Sequence, residues 1–112
     1  MRIKITKLDA LFSKYIKLRD KVCQRCGGSG GLQTSHFWGR VRRSVRWDED
    51  NCCLLCFGCH QYFHSNPEEH RQFFLERLGQ VGYDMLEYRA HRRGDLDLRL
   101  LEIYLTQKVK GM

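Results

Sequence analysis

The residues able to do chemistry fall in one stretch of the chain. Cys23-x-x-Cys26 comes first, then Ser35-His36, then Asn51, then Cys56-x-x-Cys59-His60-x-x-x-His64. A C-x-x-C turn sets two sulfurs on one side of an ion, and a second unit closes the tetrahedron that Zn²⁺ prefers. Cys23, Cys26, Cys56 and Cys59 are therefore read as ligands of a structural zinc. Cys53-x-x-Cys56 is a second possible reading of the downstream pair. Cys56 and Cys59 are favoured because they start the helix that presents His60 and His64. Cys52 and Cys53 then become small buried residues, the usual state of a free cysteine.

A zinc cage of four thiolates uses none of the histidines, which leaves them for other work. Phosphodiester hydrolysis needs a base for water, positive charge on the phosphoryl oxygens and help for the leaving oxygen. His36 suits the base, since imidazole titrates near neutral pH. His60 and His64 lie four apart on a helix and can share one divalent cation, Mg²⁺ or Mn²⁺. Asn51 can orient His36 or brace its loop through amide hydrogen bonds. The plain alternative for any histidine is a surface or satisfied core position, and His70 and His91 are read that way. Arg40, Arg42, Arg43 and Arg46 stand between His36 and Asn51 with no acid before Asp48. Such a strip suits phosphate contacts, with Arg40 read at the scissile phosphate, against the alternative of a solvated charged loop.

These groups need elements to hold them. Leu8, Leu11, Phe12, Tyr15 and Ile16 recur at helical spacing and predict a scaffold helix, with Lys7, Lys14 and Lys17 off the apolar face. Gly27, Gly28, Gly30 and Gly31 form a loop that lacks the Gly-Lys-Ser/Thr ending of a nucleotide-binding P-loop. A short strand is expected over Leu32–Phe37, a turn over Trp47–Asn51, and a helix from Cys56 to about Ser65. Phe37, Trp38 and Trp47 are read as core or hairpin staples. Asn66, Pro67, Glu68 and Glu69 spell a helix start that runs to Gly79. Another helix is expected over Tyr83–His91, and a last one capped by Asp95 and carrying Leu98, Leu101, Tyr104 and Leu105.

With 112 residues the chain is expected to be one domain, with a marginal core of the size that a metal commonly staples. The formal net charge of +7 favours a polyanionic partner, and DNA is the usual one. No long apolar run or basic amphipathic anchor suggests a membrane. Met1-Arg2-Ile3-Lys4-Ile5 is no signal-peptide core, so a reducing cytoplasm is expected, where paired C-x-x-C units bind metal in preference to forming disulfides.

Ser35-His36, Asn51 and Cys59-His60 together resemble the His-Asn-His motif of the HNH endonucleases, across roughly residues 19–78. Within that group, Ser35-His36-Phe37-x-x-Arg40, Val45-Arg46-Trp47-Asp48, Asn51 and Cys56-x-x-Cys59 are similar to the phage NinG (Rap) recombination proteins, which act on branched DNA. The resemblance implies an α+β fold: a small zinc-stapled, treble-clef-like ββα-metal core, an N-terminal helix and a helical extension over about 79–112. It implies His36 as general base, Asn51 as loop prop, His60 as metal ligand and His64 as second ligand or phosphate contact. Ser35 stands where many relatives carry a ligating Asp or His, and His60 where NinG-like chains often carry Asn. The expected function is a metal-dependent DNA endonuclease of phage or bacterial origin acting on duplex or branched DNA. A zinc-stapled nucleic-acid-binding module without catalysis is the alternative. Junction cleavage takes two cuts, and the C-terminal helices offer a surface for a homodimer.

Overall fold

A computed structural model describes residues 6–92 and 94–112. The N-terminal pentapeptide read above for a signal sequence lies outside them. The order of elements is α1 (Lys7–Asp20), β1 (Gln33–His36), two single-turn 3₁₀ segments (Arg43–Val45 and Glu49–Asn51), β2 (Cys52–Leu55), α2 (Phe57–Ser65), α3 (Pro67–His91) and α4 (Leu98–Lys110).

The hairpin is the centre of the molecule. β1 and β2 pair antiparallel, with Gln33 opposite Leu55, Thr34 opposite Leu54, Ser35 opposite Cys53 and His36 opposite Cys52. Strand side chains alternate between faces, so β2 feeds two cores. Cys52 and Leu54 pack with Phe12, Tyr15, Ile16, Trp47 and Leu105, while Cys53 and Leu55 pack with Cys23, Cys59, Phe63 and Phe74. The expected scaffold helix α1 thus covers the face of the hairpin opposite the cysteine cluster. A capping box between Thr6 and Asp9 starts it. Asp20, at its end, accepts from the Leu54 amide at 2.9 Å, and Arg19 donates to the Cys52 carbonyl at 2.8 Å.

α3 is two helices that meet at Gly79, whose φ of 76° is left-handed, so the expected stop at this glycine is found. The helix beyond it begins before the expected Tyr83. The cap of α4 differs from the sequence reading. Asp97, not Asp95, accepts from the Leu100 amide at 3.0 Å, because only a side chain immediately before the first turn reaches the third helical N–H. α4 lies against α1, which makes the C-terminal segment part of the first core and no mere appendage. Among the described residues no helix is long and apolar enough to cross a membrane.

Candidate functional site

The knuckle Cys23–Cys26 and the start of α2 bring four sulfurs together. The Sγ atoms of Cys23, Cys26, Cys56 and Cys59 all lie within 4.8 Å of one another. A zinc tetrahedron with Zn–S bonds of about 2.3 Å has edges of about 3.8 Å. The Cys26–Cys56 Sγ separation is 3.7 Å, so this donor set fits the ion and could hold it. Backbone amides already point at the sulfurs: Gly28 N–H at Cys26 and Cys59 N–H at Cys56, each at 3.4 Å. Burial pushes the Cys23 thiol up, yet the amides of Cys26, Cys56 and Arg25 outweigh it and hold it down at about 6. Burial and the neighbouring sulfurs push Cys59 up to about 12. Four thiols this close do not all ionise unless a cation sits among them. Cys53 belongs to the apolar core, where burial raises it to about 12. The sulfurs gathered within reach of one ion include Cys59 and not Cys53, which excludes the alternative pair Cys53-x-x-Cys56 as the cage.

Arg25, inside the first knuckle, donates to Cys59 Sγ at 3.4 Å and lies 4.1 Å over the Tyr62 ring. Nothing in its spacing singles it out, since one arginine in a basic chain carries no signal.

His36 ends β1 beside the cleft. Its Nε2 is 2.9 Å from the Arg46 carbonyl oxygen. A carbonyl only accepts, so Nε2 carries the hydrogen and the neutral ring keeps its lone pair on Nδ1. Burial, with Arg40 and Arg46 adding to it, lowers the pKa below the ordinary 6.5, although the hydrogen bond to the Arg46 carbonyl acts the other way. His36, Arg40, His60 and His64 line one cleft, together with Ala10 and Ser13 of α1. The opening continues past Ser35, Trp38, His70 and His91.

Asn51 is fully buried and is a brace of the loop. Its Oδ1 accepts from the Trp38 amide at 2.8 Å, and its Nδ2 donates to the carbonyls of Trp38 at 2.9 Å and Val45 at 3.0 Å. Its own carbonyl accepts from the Phe37 amide at 2.8 Å. Between the sequence alternatives, bracing the loop is what the amide does. Asn51→Ala leaves three backbone groups without these partners, and we expect a loss of about 3 kcal/mol. Urea unfolding of the two proteins at pH 7 measures it, and a difference under about 1 kcal/mol contradicts the clamp.

On α2, His60 and His64 face the cleft one turn apart, and burial, with the neighbouring His64 adding to it, lowers the pKa of His60 below the ordinary 6.5. The Nδ1 of His60 is buried without a hydrogen-bond partner. Beyond the four cysteines, no group of three His, Cys, Asp or Glu among the described residues has ligand atoms close enough to hold an ion. Ser35, at 2 % exposure, supplies no carboxylate here.

Two residues sit otherwise than their sequence reading. His70 was expected at the surface or satisfied in the core, but its buried Nε2 has no partner; the ring stacks on Phe63 at 4.9 Å, and burial lowers its pKa to about 4. Arg46 was expected in the phosphate strip, but its guanidinium pairs with Asp9 at 2.6 Å, 37 residues away, with only 11 % of the side chain exposed. Asp9 also accepts from the Trp47 indole at 2.9 Å. Although burial alone raises the Asp9 carboxyl, Arg46 and the Thr6 donors bring it down to about 2. Arg40, Arg42 and Arg43 remain exposed, with Arg42 lying 5.2 Å over Trp38 and Arg43 5.6 Å over Trp47.

A family model described as the bacteriophage lambda NinG protein matches residues 3–108. The chain belongs to the NinG family. Neither the curated proteins nor the solved structures hold a significant match to this NinG chain. The match spans α1 and most of α4 as well as the cysteine and histidine region. The NinG unit is therefore wider than residues 19–78, in keeping with a first core that runs from Phe12 to Leu105.

Proposed function

We propose that this NinG-family protein is a metal-dependent DNA endonuclease of the HNH type, active on branched or recombination intermediates. What supports the reading is a single cleft that holds His36, Arg40, His60 and His64, with the His36 lone pair on Nδ1. His36 takes the proton of the attacking water. Arg40 faces the phosphoryl oxygens, and Asn51 keeps the intervening loop in register. His60 and His64 would hold a divalent cation with water and phosphate completing its shell, and Mg²⁺ or Mn²⁺ so bound supplies Lewis-acid stabilisation of charge on the phosphoryl and departing oxygens. Two protein ligands make that affinity weak, so millimolar metal is needed. Cys23, Cys26, Cys56 and Cys59 carry a structural zinc in this reading.

Pure binding asks for neither a half-buried base nor a histidine pair across from it. The test is incubation of the zinc-loaded protein with supercoiled plasmid and with a four-way junction, with EDTA and with added Mg²⁺ or Mn²⁺. Nicked plasmid or resolved junction is expected only with metal. DNA that is shifted on gels but stays intact in millimolar Mn²⁺ would favour the non-catalytic binding module instead.

A further inference from the structure

The helix α1 has a second face that its role as scaffold leaves unused. Lys7, Ala10, Lys14 and Lys17 follow one another at alternating steps of three and four, which puts them in one stripe down the helix, and Lys21 follows just past its end. All four lysines are exposed. None has an ion pair among the described residues. The two acids of the helix are withdrawn from this face. Asp9 is tied to Arg46 and Trp47, and Asp20 to Arg19, Arg77 and the Leu54 amide. The stripe is therefore positive, and both carboxylates of the helix are paired with arginines.

Its position matters as much as its charge. Ala10, in the stripe, and Ser13, beside it, line the same cleft as His36 and Arg40. The Ser13 hydroxyl lies 2.9 Å from that of Thr34, two residues before His36 in β1, so the helix is fixed to the strand that carries the base. From Lys7 to Lys17 the stripe runs about 15 Å at 1.5 Å per residue. That matches about four base-pair rises of 3.4 Å along one strand.

We infer that the lysine stripe of α1 is a docking track for the phosphate backbone of DNA, carrying a duplex arm away from the cleft that contains His36 and Arg40. The inference rests on the reading of this protein as a DNA enzyme and adds the surface on which the uncut arm lies. Contacts of this kind fix register and orientation without reading sequence. Lysine suits the task as a mobile point charge, where bidentate grip is not needed.

The experiment measures affinity of the zinc-loaded protein for a 30-base-pair duplex and for a four-way junction, by fluorescence anisotropy across a salt series. It compares wild type with Lys14→Gln/Lys17→Gln, and with Lys108→Gln/Lys110→Gln on α4 as a control of equal charge. Gln matches Lys in helix propensity, so α1 is retained. Two lost phosphate contacts are expected to reduce the slope of log K against log salt by about 1.8 and to weaken binding at least tenfold at 0.1 M salt. The α4 control is expected to leave the slope unchanged. Equal slopes for wild type and the α1 variant, or equal losses in both variants, would overturn the track. Plasmid nicking is assayed in parallel. If wild type binds but never nicks, the endonuclease reading fails while the slopes still decide the track. If wild type nicks and the α1 slope is unchanged, the track alone fails, and a wild type that binds no DNA refutes both.

Discussion

Cys56→Ser is expected to lose zinc and to leave the chain without a stable fold. The substitution isolates the metal, because Cys56 has a second role that serine can keep. It is the N-cap of α2, and its Sγ accepts from the Cys59 amide at 3.4 Å. Serine is among the best N-caps, so the helix start survives and only the fourth metal ligand is removed. The knuckle at Cys23–Cys26 and the start of α2 are then no longer joined. A structural zinc contributes on the order of 10–16 kcal/mol, as large as the whole stability of about 5–15 kcal/mol typical of a domain. Metal analysis should fall from one zinc per chain to near zero, and the cooperative thermal transition should vanish. Cys53→Ala is the contrasting variant. It removes a core sulfur outside the cage, so it should keep zinc and cost about 1 kcal/mol. Full zinc in the Cys56 variant, or none in the Cys53 variant, would mean that other sulfurs bind the ion.

The contrast between Cys53 and Cys56 also marks what a sequence can and cannot tell. Two overlapping C-x-x-C units fit the spacing equally, and only the strand register, with Cys53 opposite Ser35, sends one sulfur into hydrocarbon. β2 itself was hidden for a related reason. Its four residues are all buried, so they lack the alternation by which a half-exposed strand is recognised. α1 was legible because its apolar residues recur along one stripe, and the break at Gly79 because glycine there takes a positive φ. Asp95 and Asp97 are alike as caps on paper, and the choice depends on which one precedes the first turn by one residue. Arg46 looked like its neighbours because nothing local announces a partner 37 positions upstream. Long-range pairing, more than composition, separates the arginines that can meet phosphate from the one that holds the fold.

His36→Ala carries the largest expected effect on activity. A positioned general base contributes roughly 10²–10⁴-fold, so nicking in Mg²⁺ or Mn²⁺ should fall by that factor. Folding should change far less. The ring is half-buried and gives up one hydrogen bond, to the Arg46 carbonyl, for about 1 kcal/mol. DNA affinity should also hold, since Arg40, Arg42 and Arg43 stay exposed. The pH profile of the wild type adds an independent sign. Burial lowers the His36 pKa below 6.5, so Nδ1 remains unprotonated at pH values where a free imidazole has begun to charge. The rate should be full above 6.5 and fall as pH drops through the depressed value, with protonation of His60, lowered for the same reason, adding to the acid loss. An acid limb centred at pH 7 or above would point to a base other than His36. So would nicking by the alanine variant within a factor of about three of wild type, well inside the range a base supplies. If instead binding and zinc content stay intact while turnover collapses, the role of the ring is chemical, because its structural contribution is too small to account for the loss.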